Sequence, residues 1–123
     1  MDDTANRGAA CYHPARMDES RYLDLAKQAF ERVLRAFDAV DPEACDLDAG
    51  GDVLTFTCRD RVKIVLNTQR PARELWLAGA ARAWHFGWQE ARGAWIDEKR
   101  GGAELFATLN ALLAEHAGLE GAL

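Results

Sequence analysis

Six carboxylates crowd into one short stretch: Asp38, Asp41, Glu43, Asp46, Asp48 and Asp52. Several fall where a helix should end, and a helix C-terminus carries partial negative charge. Each acid there is mildly unfavourable, by roughly 0.3–1 kcal/mol. A cation or a basic partner surface would offset that cost. Such hard oxygen ligands suit Fe2+, Fe3+, Mn2+, Mg2+ or Ca2+ without choosing sharply among them. With no histidine or thiolate in the set, binding would be exposed and weak. The competing reading is a solvated acidic loop that keeps the protein soluble. An EF-hand is excluded: a loop starting at Asp46 would have Gly50 at its fifth position and Thr57, not Glu, at its twelfth.

A second constellation lies in NTQRPARELWLAG, residues 67–79. Alternation places Leu66, Leu75 and Leu77 on one side of two strands, and Asn67, Gln69 and Trp76 on the other. A tryptophan can bury about 150–250 Å², so exposing one on an outer face forgoes several kcal/mol at ~25 cal/mol/Å². Two readings fit. Trp76 could lie flat over Val65 and Thr55 as a local cover. Alternatively it is a docking anchor, with neighbouring amides supplying directional hydrogen bonds.

Other chemistry is thin. Cys11, Cys45 and Cys58 are an odd number with no CxxC pair, which suits a reducing compartment and argues against a disulfide framework or a zinc site. Cys58 falls in a strand pattern as a small buried hydrophobe. Cys11 and His13 lie on an N-terminal tail, too few ligands for a firm metal site. His116 falls near a helix C-terminus and reads as a surface cap. Trp84, Trp88 and Trp95 read as packing. No nucleophile elbow, P-loop or GxGxxG is present, and no Ser or Cys has an evident base.

The elements that must position these groups follow from the pattern. The 123 residues allow one domain. Residues 1–16 lack periodicity and are expected to be a disordered extension, with Met17 resembling a second, more natural start. After a cap at Asp18 or Ser20, Tyr22, Leu25, Ala26, Ala29, Phe30, Val33, Phe37 and Val40 recur at helical spacing, and Pro42 stops the helix. Short strands follow at 46–49, 53–58, 62–69, 74–78, 83–88 and 94–97, and Gly101-Gly102 closes the sheet region. A second helix carries Leu105, Phe106, Leu109, Leu112 and Leu113 and ends at Gly118, leaving 119–123 as a short tail. Two helices with one apolar stripe each must cover the single apolar face of the sheet. The expectation is a two-layer α+β sandwich: two helices packed on one face of an antiparallel sheet of five to six strands, its other face open.

The net charge of −5 hides an asymmetry. Residues 1–52 hold 6 basic and 12 acidic side chains, residues 53–100 hold 9 and 5, and residues 101–123 hold 3 acidic side chains and no basic one. Acidic ends disfavour nonspecific nucleic-acid binding, while a dipolar surface suits docking on charged proteins. No apolar run approaches the ~18 residues of a membrane helix, and the N-terminus lacks a signal-peptide core. The chain reads as soluble and cytoplasmic.

The order Asn67-x-Gln69-x-Pro71-x-x-Glu74-Leu75-Trp76-Leu77-Ala78, then His85-Phe86, then Trp95 before a glycine and a helix, resembles the frataxin family, nearest its bacterial CyaY branch. GGDVLTFT resembles the start of that family's first long strand and MDESRYLDLAKQAF its N-terminal helix, so the likeness runs from 17 to 118. The resemblance implies a non-catalytic, monomeric adaptor in iron–sulfur cluster assembly that binds iron weakly and docks on a cysteine desulfurase and its scaffold protein. By position it assigns docking to Asn67, Gln69, Trp76 and His85. It places weakly bound iron on the acidic ridge, here Asp38, Asp41, Glu43, Asp46 and Asp48. The chain departs from the family in two places. Leu34, Arg35, Ala36 and Ala39 stand where bacterial relatives carry a run of acids, and Ala83-Trp84 stands where they tend to have Gly-Gly. Two alternatives remain. One is a ferroxidase that stores iron, which needs oligomers and a defined ligand set. The other is a single-stranded nucleic-acid module using Trp76 with Arg70, Arg73 and Arg82, which the acidic flanks oppose.

Overall fold

The structure is a computed structural model that describes residues 17–123. Cys11, His13 and the extension expected over 1–16 lie outside the described residues. Helix α1 (Glu19–Phe37) starts at Asp18, whose carboxylate accepts from Arg21 N. It is roughly 30 Å long at ~1.5 Å per residue. It ends three residues short of Val40, before Pro42 is reached; Asp38 N closes the last turn on Arg35 O. Seven strands follow: β1 (Cys45–Gly50), β2 (Val53–Cys58), β3 (Lys63–Gln69), β4 (Glu74–Gly79), β5 (Arg82–Gln89), β6 (Ala94–Asp97) and β7 (Ala103–Glu104). Helix α2 (Leu105–Ala117) closes the chain order.

The sheet is an uninterrupted antiparallel meander, with spatial order equal to chain order. The expected two-layer sandwich is therefore present, with one strand more than the five to six expected. The additional strand, β7, has two residues. Gly101 and Gly102, which suggested an end to the sheet, both take positive φ and turn the chain back for one more pairing with β6.

The core lies between the helices and one sheet face. Tyr22, Val33, Leu54, Phe56, Ile64, Leu66, Leu75, Leu77, Phe86 and Leu109 are buried there. Trp84 and Trp95 join them, and Trp88 packs at the margin. Residues 119–123, expected as a tail, return along α2. Leu123 N and O are both held by the Asn110 side chain, at 2.9 and 3.2 Å.

Candidate functional site

The open sheet face is set by register. Val53 pairs with Asn67, Asn67 with Trp76, and Trp76 with His85. One row of side chains thus crosses β2, β3, β4 and β5, on the face opposite Leu66, Leu77 and Phe86. A second row runs through Gln69, Glu74, Gly87 and Ile96. The residues expected to face outward therefore form a continuous patch.

Trp76 is half-buried and His85 exposed. Their rings stack at 4.1 Å between centroids, 13° from parallel. The indole is thus laid against its cross-strand neighbour, and its Nε1–H donates to Glu74 Oε1 at 2.9 Å. Asn67 turns its amide nitrogen to Thr68 O at 3.0 Å.

Three residues outside the expected set position this face. The Tyr22 hydroxyl, reaching up from α1, donates to Glu74 O at 2.7 Å and accepts from Gln69 N at 3.1 Å. It ties the paired ends of β3 and β4 to the helix. Burial pushes the Tyr22 phenol pKa up, keeping it protonated as a donor. Asp97 is buried, and its Oδ2 accepts from His85 N at 2.8 Å while Oδ1 accepts from Lys99 N and Arg100 N. The β6 ladder stops at the Ile96–Gly87 pair, so the Asp97 side chain takes the next β5 amide in place of a strand. Glu74 fixes the Trp76 indole. Apolar periodicity marks Tyr22 as core and cannot announce its hydroxyl; a lone Asp after an apolar strand was the available sign for Asp97.

Gly87 leaves the second row without a side chain, and a Cβ there would meet nothing within 4 Å. Beside it opens a groove of about 700 Å³ floored by Ile96 and walled by Glu74, His85, Arg73 and Lys99. The β4–β5 turn falls at Ala80-Ala81, both with positive φ, and Trp84 is buried within β5.

The five acids divide. Asp46 and Asp48 are exposed on edge strand β1, opposite Thr57 and Thr55, hence on the same open face as Trp76. Three strand spacings of ~4.8 Å put that edge about 14 Å from β4. Asp38, Asp41 and Glu43 occupy the connection from α1 to β1, where Asp41 Oδ1 accepts from Glu43 N at 2.9 Å. Among the described residues no group of three or more His, Cys, Asp or Glu is placed to hold one metal ion. The donors fit iron in chemical type but do not form a preorganised centre. His116, expected as a surface cap, is largely covered; its Nδ1 lies 2.7 Å from Asp60 Oδ2, joining α2 to the β2–β3 turn.

The family model for the frataxin-like domain matches residues 15–119. The chain belongs to the frataxin family. It is 38% identical over 106 residues to a protein of Delftia acidovorans named iron-sulfur cluster assembly protein CyaY, covering 84% of this chain and 94% of that one. Among solved structures, the frataxin of Psychromonas ingrahamii superimposes with a TM-score of 0.71 at 27% identity, over 80% of this chain and 90% of that one. A trimeric yeast frataxin described as complexed with ferrous iron shares the fold, with a TM-score of 0.57 at 22% identity, over 89% of this chain and 93% of that one. The family likeness read from Asn67 to Trp95 thus holds, and the patch built around Trp76 is the open sheet face of a frataxin fold.

Proposed function

We propose that the protein is a non-catalytic adaptor of iron–sulfur cluster assembly that docks its open sheet face on a cysteine desulfurase and on the scaffold protein. The observation that carries this reading is the in-register row Asn67–Trp76–His85. A tryptophan is held at a fixed angle by a ring stack and one hydrogen bond, beside polar groups and a groove. A preset aromatic anchor loses little conformational freedom when a partner covers it. The relatives' name supports the pathway.

Iron enters this reading as cargo. Exposed carboxylates on β1 and in the α1–β1 connection would meet it in ones and twos, with water completing its shell, so binding is weak. The divided acids favour this over a ferroxidase, which needs convergent ligands. Asp46 and Asp48 share the docking face, so a basic partner surface is the second target of the same charges.

The test is a titration of the purified protein with a cysteine desulfurase, with the scaffold complex and with Fe2+, using wild type, Trp76→Ala and the triple variant Asp41→Asn, Asp46→Asn, Asp48→Asn. The triple variant should weaken both desulfurase and iron binding, and Trp76→Ala should act mainly on the scaffold-bound complex. Wild type that binds neither protein nor iron ends the adaptor reading.

A further inference from the structure

Cys45 opens β1 and Cys58 ends β2, and the two are directly paired across the strands. Both are buried, free thiols on the core side. Their pairing is of the close kind. Arg59 N donates to Ala44 O at 3.0 Å, which makes the adjacent Ala44–Arg59 step the hydrogen-bonded one. Cys58 N instead turns to Val62 O at 2.9 Å, toward β3. Cys45–Cys58 is therefore a non-hydrogen-bonded pair, where opposed Cα atoms are about 4.5 Å apart and side chains approach most closely. A disulfide spans Cα separations of roughly 4.4–6.8 Å.

We propose that Cys45 and Cys58 are a reversible thiol-oxidation site, closing to a cross-strand disulfide that staples edge strand β1 to the sheet. The co-reactant is a disulfide oxidant such as oxidised glutathione. One cysteine thiolate attacks it, forming a mixed disulfide and releasing one glutathione thiol. The second cysteine then displaces the other glutathione, forming the internal S–S bond. Two thiol protons and two electrons leave the protein and appear on two reduced glutathione molecules.

The site is gated. Burial, with Cys58 beside it, pushes the Cys45 thiol up to about 12, and burial raises the Cys58 thiol as well, so both are held as thiols in the folded sheet. β1 has a sheet partner on one side only, and oxidation must await its opening. The strand that would be stapled is the one carrying Asp46 and Asp48. The inference stands on strand register and holds whether or not the cluster-assembly reading does.

The experiment uses the full chain as Cys11→Ser, so that two thiols remain. It is incubated with oxidised glutathione, with and without urea below the unfolding transition. The expected product has lost two thiols and the mass of two hydrogen atoms, and gives a crosslinked Cys45–Cys58 peptide. Its melting temperature should rise by about 10 °C, from restriction of the unfolded chain, and return on reduction. Urea should speed the reaction. Cys45→Ala should stop it, and the peptide map decides the matter even where that variant folds poorly. Persistent glutathione adducts without the internal bond, thiols that stay free in urea, or a crosslinked product that melts lower than the reduced protein would each overturn the proposal.

Discussion

The Trp76 indole and the His85 imidazole lie face to face across β4 and β5, 4.1 Å apart at their centroids. Pairing register sets the two rings side by side, since the residues are direct cross-strand partners, and the Glu74 carboxylate fixes the indole. It turns two exposed-face side chains into one rigid aromatic plate. Removing either ring should therefore affect binding more than folding. Trp76→Ala is expected to weaken docking on the scaffold-bound complex by about 2 kcal/mol or more, roughly 30-fold, while far-ultraviolet circular dichroism stays unchanged. His85→Phe keeps a stacking ring and should retain most of the affinity; His85→Ala should not. Calorimetry on the three variants separates these outcomes. Equal affinity throughout would remove the aromatic plate from the interface.

Tyr22→Phe tests the link from helix to face. The substitution keeps the ring, which meets Trp95 edge-on at 6.1 Å, and deletes a hydroxyl holding Glu74 O and Gln69 N. Two backbone groups of the β3–β4 end lose their partner at once. The expected cost is about 1–3 kcal/mol, read as a lower urea midpoint at unchanged slope. A midpoint equal to wild type would mean that water replaces the hydroxyl freely.

The β4–β5 turn should be improvable. Ala80 and Ala81 have φ of 53° and 62°, a left-handed conformation that costs an L-residue roughly 1–2 kcal/mol. Both central residues at positive φ describe the hairpin turn that favours Asn-Gly. Ala80→Asn with Ala81→Gly is expected to raise stability by about 1–2 kcal/mol without touching the docking face. Thermal unfolding gives the answer, and a lowered melting temperature would show that the alanines hold the turn some other way.

Most of the framework was legible because the apolar period carried it. Leu54, Phe56, Ile64, Leu66, Leu75 and Leu77 alternate cleanly, and Tyr22 to Val33 recur at helical spacing, so the sandwich and the outward face of Trp76 followed. β7 escaped because two residues cannot show a period, and because glycines that end a strand can also turn the chain back to form another. Asp97 and Tyr22 escaped as positioning groups because hydrogen bonds to distant backbone leave no local pattern. The acidic stretch misled in another way. Closeness in sequence suggested one cluster, but alternation sends Asp46 and Asp48 to the sheet face while Asp38, Asp41 and Glu43 stay in the preceding connection. His116 read as an exposed cap because its partner, Asp60, is brought to it only by the hairpin.

That last contact contributes to the acid response. The hydrogen bond from His116, with a second from Val62 N, holds the Asp60 carboxyl below its ordinary pKa. Asp60 therefore binds its proton less tightly in the folded protein than in the unfolded chain. The stabilisation is complete above the unfolded value, about 4, and is lost as pH falls through the lower folded value. Asp60→Asn should lower the melting temperature at pH 6 and flatten its fall between about pH 4 and pH 2, where wild type gives up this contribution. His116→Asn should show the same flattened limb, because it removes the larger cause of the shift. Melting curves measured from pH 6 to pH 2 on the three proteins decide it: parallel acid limbs would mean that the α2-to-hairpin contact carries no proton-linked stability.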